Sequence, residues 1–459
     1  MGVAEVDITP PVGFPMAGYY HERLATGSRD PLKAKAMVFR QGETKAAFVV
    51  ADLTGIARDL CEAVRRKVST QTAIPPKHIV VSATHSHTAP DYTGRLYEFL
   101  VDEGAADSTD AYPQMLIDGI VTAVVRANEA LRPVTLTAGV ADQSNPVSFN
   151  RRFVMRDGSV RTWQRYDNPD VVRAAGPIDP EISILTIRGA NDDEPSAVLS
   201  NFALHLDTVG GHQWSGDYPY YIEQSLRRRF GEGLISLFGL GACGDINHSD
   251  PSRAERNKTD VIGDSLAATI DSTLPNLKTV ETFGLQVRSA TVDFPLQKVS
   301  QRELERATQL IPAAKSGEKI DFFDLVAAYK AVMLDQFTNK SPQVPKSDYL
   351  TWGLSHTWAG IGDSLPVEVT TITIGREVAM VFLPGEVFVE LGLAIKRGSP
   401  YRTTFVIELS NCVETIYIPT RAAYAGGSYE VSNAAGEPGN GEMLVEASLK
   451  LLRESASSN

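Results

Sequence analysis

Along about the first 295 residues, short apolar runs rich in β-branched residues alternate with amphipathic stretches, which points to an α/β architecture. Phe48-Val49-Val50-Ala51 reads as a strand, and Ile56, Leu60, Val64 and Val68 then fall four apart on one helical face. Residues 115–131 read as a second amphipathic helix, with Ile120, Val124, Ala127 and Leu131 in line. Residues 197–203 and 234–238 are further strands. From about Gln301 to Asp335 the pattern turns helical, and 340–346, with two prolines, reads as a loop. Strands return over 367–374, 378–382 and 404–407, the first two joined as a hairpin by Gly375-Arg376-Glu377. The expected fold is α/β: a mixed sheet with flanking helices, ligands at the strand ends, and a helical insertion near 300–346. One catalytic domain is expected over 1–445, and 446–459 as a helix end with a frayed tail at 454–459. No internal repeat is legible.

Composition removes several functions. The chain has 459 residues, is 43% apolar and carries a net charge of -12, so it can bury a large core but lacks the clustered cations a nucleic acid requires. Its 3 cysteines, Cys61, Cys243 and Cys412, are widely spaced and form neither a disulfide framework nor a Cys-based zinc site. No stretch approaches the roughly 18–20 apolar residues of a membrane span. The first residues, Met1-Gly2-Val3-Ala4-Glu5-Val6-Asp7, show no secretory signal, so a chain with a native start is expected in the cytoplasm. Oligomeric state is left open.

Only 8 histidines occur, yet His85 and His87 flank a single residue in Ser82-Ala83-Thr84-His85-Ser86-His87-Thr88-Ala89-Pro90, just after the strand-like His78-Ile79-Val80-Val81. That step puts two imidazoles where open α/β sheets hold ligands. Other strand-like runs also end in polar residues. Leu204-His205-Leu206-Asp207 follows one, Gly241-Ala242-Cys243-Gly244-Asp245-Ile246-Asn247-His248 another, and Leu383-Pro384-Gly385-Glu386 a third. Glu408-Leu409-Ser410-Asn411 follows the last, with Tyr417 close behind. His85, His87, His205, Glu386 and Tyr417 could therefore converge on one rim of a sheet, a donor set suited to zinc with a position open for water. Each has a plainer reading: a core histidine for His205, a carboxylate opening the next helix for Glu386, a packing aromatic for Tyr417.

The His-x-His step occurs in several metal-site families. A metallo-β-lactamase-like site would need Asp and His where Ala89 and Pro90 stand. A calcineurin-like phosphoesterase would need further metal motifs around Gly244-Asp245 and Asn247-His248, and an amidohydrolase barrel regular β/α units after its first strand. The motifs together resemble instead the neutral (non-lysosomal) ceramidases, zinc-dependent amidases. Ala83-Thr84-His85-Ser86-His87 is similar to that family's Thr-His-Thr-His-Ser-Gly stretch, and Asn201-Phe202-Ala203-Leu204-His205 to its second histidine motif. Ser215-Gly216-Asp217, Asn150-Arg151, Leu383-Pro384-Gly385-Glu386 and the pair Tyr417 and Tyr429 also fit, and the resemblance begins at Asp7-Ile8-Thr9-Pro10. It implies that His85, His205, Glu386 and Tyr417 bind zinc, while His87, Arg151 and Tyr429 position the substrate carbonyl and stabilise the oxyanion. Where the family reads Gly-Asp-Val-Ser-Pro this chain has Gly244-Asp245-Ile246-Asn247-His248, and Asn247 could only orient substrate or oxyanion. The expected activity is cleavage of an amide in a small N-acyl substrate by a metal-activated water. An ester or lactone hydrolase on the same site, or a metal-binding homologue without catalysis, are the alternatives.

Overall fold

The computed structural model describes residues 1–93, 111–282, 284–339 and 356–458, so the loop expected over 340–346 lies outside the described residues. The first unit of structure runs β1 (Gly2–Asp7), β2 (Lys33–Gln41), β3 (Thr44–Ala51), α1 (Arg58–Thr72), β4 (Ile79–Ala83) and α2 (Tyr112–Glu129). A second runs β5 (Val134–Asp142), β6 (Glu181–Gly189), β7 (Ala197–Phe202), α3 (Tyr218–Phe230), β8 (Ile235–Leu240) and α4 (Thr259–Thr273). The third begins with β9 (Leu285–Pro295) and an inserted helical pair, α5 (Gln301–Lys315) and α6 (Phe322–Thr338). It continues through β10 (Ser364–Ile374), β11 (Val378–Phe382), α7 (Val389–Gly398), β12 (Thr403–Ile407) and α8 (Asn440–Ser458).

Setting the insertion aside, all three units share the order β-β-β-α-β-α. In each, the first three strands pair antiparallel, and the fourth returns across a helix to lie parallel to the third. The structure thus holds a threefold repeat that the sequence does not display, and the expected mixed α/β architecture is built from three main sheets.

This pairing decides where function can sit. Strands one, three and four of a unit point the same way, so the loops that follow them all emerge at one pole. That is the end at which α/β sheets hold ligands. The three sheets face each other across a common core. Phe48 and Val50 of β3, Leu199 of β7 and Met380 and Phe382 of β11 point into it, with the Phe48 and Phe382 rings 5.1 Å apart. The alternate residues, Val49, Val198 and Val381, face the covering helices. Strands buried on both faces read as unbroken apolar runs.

Several local expectations shift. The helix expected from 115 begins at Tyr112, and Ile56 lies just ahead of α1. The tail expected to fray is helical through Ser458, and the boundary drawn at 445 falls inside α8. Ser455 is fully buried, its carbonyl accepting from Gln286 Nε2 at 3.2 Å and its hydroxyl oxygen from Arg288 Nε at 3.1 Å. All three cysteines are free and buried. Among the described residues no helix is long and apolar enough to cross a membrane.

Candidate metal centre and active-site cavity

At the shared pole, Thr84 leaves β4 and donates to Asp52 Oδ1 at 3.1 Å, and the His85 N–H reaches Leu53 O at 2.8 Å. His85 sits at φ +74°, a left-handed conformation that costs on the order of 1–3 kcal/mol and is concentrated at functional sites. Its Nδ1 lies 2.6 Å from the Thr54 carbonyl. A carbonyl only accepts, so Nδ1 carries the proton and Nε2 keeps its lone pair.

That lone pair faces two other imidazoles. His85 Nε2 is 3.1 Å from His205 Nε2 and 3.3 Å from His87 Nε2, and the last two nitrogens are 3.1 Å apart. A ring nitrogen holds either a proton or a lone pair, so three mutually adjacent nitrogens cannot all be satisfied by hydrogen bonds. Nitrogens at about 2.0–2.1 Å from a tetrahedral ion stand roughly 3.3–3.4 Å from one another, close to the spacing found here. Burial pulls His87 down to about 4 and His205 well below its ordinary value, which keeps both rings in the neutral, metal-binding form.

Glu386 is delivered by a short parallel pairing, Glu386–Val387 against Tyr417–Ile418, with Glu386 opposite Tyr417. It does not open the next helix as its local sequence suggests. α7 starts at Val389, whose N–H is capped by Asp245 Oδ1 at 2.9 Å. Glu386 Oε2 stands 3.4 Å from His85 Nε2 and 4.0 Å from His205 Nδ1, buried and without a donor. Burial pushes this carboxyl up, while the Arg151 guanidinium and the Tyr417 hydroxyl pull it down. Gly244 allows the loop after β8 to lie against this strand, since a Cβ there would come 2.7 Å from the Glu386 carbonyl oxygen.

Arg151 closes the centre from the segment between β5 and β6. Its Nε donates to Glu430 Oε1 at 2.8 Å, and Nη2 donates to Gly244 O at 2.9 Å and to the Tyr417 hydroxyl at 3.0 Å. The guanidinium also lies 5.6 Å from the Tyr417 ring centroid and 5.8 Å from that of Tyr429. Asn150 donates to Asp245 Oδ2 at 2.7 Å, which ties the Asn-Arg step to the same loop. Ser215-Gly216-Asp217 serves the loop instead: Asp217 caps α3 and accepts from the Thr208 and Val209 N–H groups just after His205.

A cavity of about 570 Å³ opens above the imidazoles and is lined by His87, His205, Arg151, Asn247, Tyr417 and Tyr429. His87 therefore lies among the candidate ligands, as near the two other imidazoles as they are to each other. The Asn247 amide oxygen accepts from Ser249 N at 3.0 Å, so its Nδ2 is the donor available to the cavity. The sequence reading gave no site role to Tyr19, Tyr20, Trp163, Asp207 and Phe322, which also line the cavity. All but Asp207 come from segments inserted between the first and second strands of the three units or, for Phe322, from the start of α6. No strand-end pattern marks such segments. A larger cavity of about 780 Å³ opens at the opposite pole, around Phe39, Leu136 and Leu285, and contains no histidine.

Fold and site together define a three-sheet α/β protein with a buried histidine centre open to one cavity. Residues 1–217 match the family model of the neutral/alkaline non-lysosomal ceramidase N-terminal region. It is 25% identical over 260 residues to the neutral ceramidase of Pseudomonas aeruginosa, covering 54% of this chain. It is 24% identical over 277 residues to neutral ceramidase A of Dictyostelium discoideum, covering 56% of this chain. Both matches span 36% of the relative's own length. The crystal structure of the Pseudomonas aeruginosa neutral ceramidase superposes with a TM-score of 0.70 over 99% of this chain and 74% of that one, at 19% identity, a likeness of fold.

Proposed function

We propose that the chain is a zinc-dependent hydrolase that cleaves the amide bond of an N-acyl substrate. The convergence of three imidazole Nε2 atoms beside the donorless Glu386 Oε2 carries this reading. His85, His205 and Glu386 would hold the ion, with Tyr417 and His87 alongside. Bound zinc supplies a Lewis acid and the means to ionise water at neutral pH. The chain's own residues do the rest. Arg151, fixed by Glu430, and Tyr429 both line the cavity and would serve as donors for a developing oxyanion. The aromatic wall of Tyr20, Trp163 and Phe322 suits the alkyl part of an acyl group, and the family likeness of residues 1–217 to ceramidases favours an amide.

Purified protein is expected to hold about one zinc per chain, and stripping it with a chelator should abolish hydrolysis that added zinc restores. Elemental analysis followed by a screen of N-acyl amides, esters and lactones tests both parts. Protein that takes up no zinc ends the metal reading. Zinc with turnover of esters or lactones alone moves the assignment to those substrates, and zinc with no turnover leaves a metal-binding homologue.

Asn247→Ala is expected to lower turnover by roughly 10- to 1,000-fold, as for loss of one oxyanion donor. Because its carbonyl also holds the Ser249 N–H, a modest fall in the thermal midpoint should accompany that loss. A variant with unchanged turnover would remove Asn247 from the site.

A further inference from the structure

Each imidazole at the centre needs its second nitrogen held if Nε2 is to stay aimed. His85 has the Thr54 carbonyl for this. His87 Nδ1 is buried without a hydrogen-bond partner, and the nearest acid is Asp207, whose Oδ1 is 3.8 Å away. Asp207 is in turn held from behind. The Tyr19 hydroxyl donates to the same Oδ1 at 2.5 Å, and the Tyr19 ring meets the His87 ring edge-on, centroids 5.7 Å apart.

Tyr19 is itself fixed. Arg23, 4% exposed, lies over its ring at 4.1 Å, donates through Nη1 to Gly211 O at 2.9 Å and through Nη2 to the carbonyls of Ala17 and His87. Gly18 makes the approach possible. Its φ is +101°, and a Cβ there would come 2.8 Å from His87 Cβ. One segment thus clamps the His87 backbone and aims a phenol at the carboxylate facing its ring.

We propose that Asp207, steadied by Tyr19, is a positioning residue that keeps His87 in the Nδ1–H tautomer with its Nε2 lone pair turned to the centre. A carboxylate beside Nδ1 can only accept, so it selects that tautomer and raises the basicity of Nε2. The metal-affinity part rests on the zinc reading above with His87 as one of the ligands; the tautomer part stands without it.

Asp207→Ala, Asp207→Asn and Tyr19→Phe in the full chain test this by zinc competition against a chromogenic chelator and by ¹⁵N NMR of the metal-free histidine rings. The Asp207 side chain is 35% exposed, so its truncation should leave the metal-free thermal midpoint close to wild type. Asp207→Ala should weaken zinc binding by about 10- to 100-fold and shift the His87 ring away from Nδ1–H. Asp207→Asn, which keeps an acceptor, should recover part of both, and Tyr19→Phe should show a smaller loss in the same direction. Wild-type affinity and tautomer in Asp207→Ala would overturn the proposal, and so would an equal loss in Asp207→Asn together with a lowered thermal midpoint. Should wild-type protein bind no zinc, the metal reading falls and the ring spectra alone decide the role of Asp207.

Discussion

His85→Ala and His205→Ala are each expected to take zinc content from about one per chain to near zero and to abolish turnover. Losing the Lewis acid forfeits several kcal/mol of transition-state stabilisation, on the order of 10³-fold or more in rate. His212→Ala should do neither, since His212 is exposed and its ring meets only the Leu24 carbonyl, at 3.2 Å. Elemental analysis beside a turnover assay reads the result, and equal losses from His212→Ala would undo the assignment. His87→Ala separates two roles within the site. A loss of zinc would mark it as a ligand, as its 3.1 Å approach to His205 suggests; a loss of turnover with zinc retained would mark it as positioning substrate.

Arg151→Ala should cost the fold as well as the reaction. Arg151 and Glu430 are buried, and their contact at 2.8 Å is one edge of a network that also fixes Gly244 and Tyr417. Truncating one member of a buried ion pair leaves the other charge unpaired, at about 3–5 kcal/mol. The low end applies here, because Glu430 Oε2 keeps Arg152 Nε at 3.4 Å and the Thr162 hydroxyl at 2.8 Å. Urea unfolding of Arg151→Ala, Glu430→Ala and the double variant measures the coupling, and the double variant should lose less than the two singles added. Strict additivity would show that the pair does not act as a unit. Turnover should fall in every variant lacking Arg151, since the donor beside Tyr417 is gone.

The α/β class, most of the strands and the polar residues at their ends were legible in the sequence, because side-chain periodicity and β-branched composition are local properties. His85 and His87 declared themselves by spacing alone. Which strands share a sheet did not, because a run such as Phe48-Val49-Val50 is buried on both faces and carries no alternation to say what covers either one. The threefold repeat stayed hidden for the same reason: pairing and chain direction repeat, whereas the side chains do not. Local signals also lost to tertiary ones. Glu386 after Pro-Gly looked like a helix start until pairing with Tyr417 claimed its backbone, and the Ser-rich tail looked frayed until Arg288 and Gln286 held Ser455 in place. The centre itself belongs to the tertiary structure. His85 and His205 are 120 residues apart in the chain, Tyr19 and Asp207 are 188 apart, and only the like direction of first, third and fourth strands, opening their loops at one pole, brings them within reach of each other.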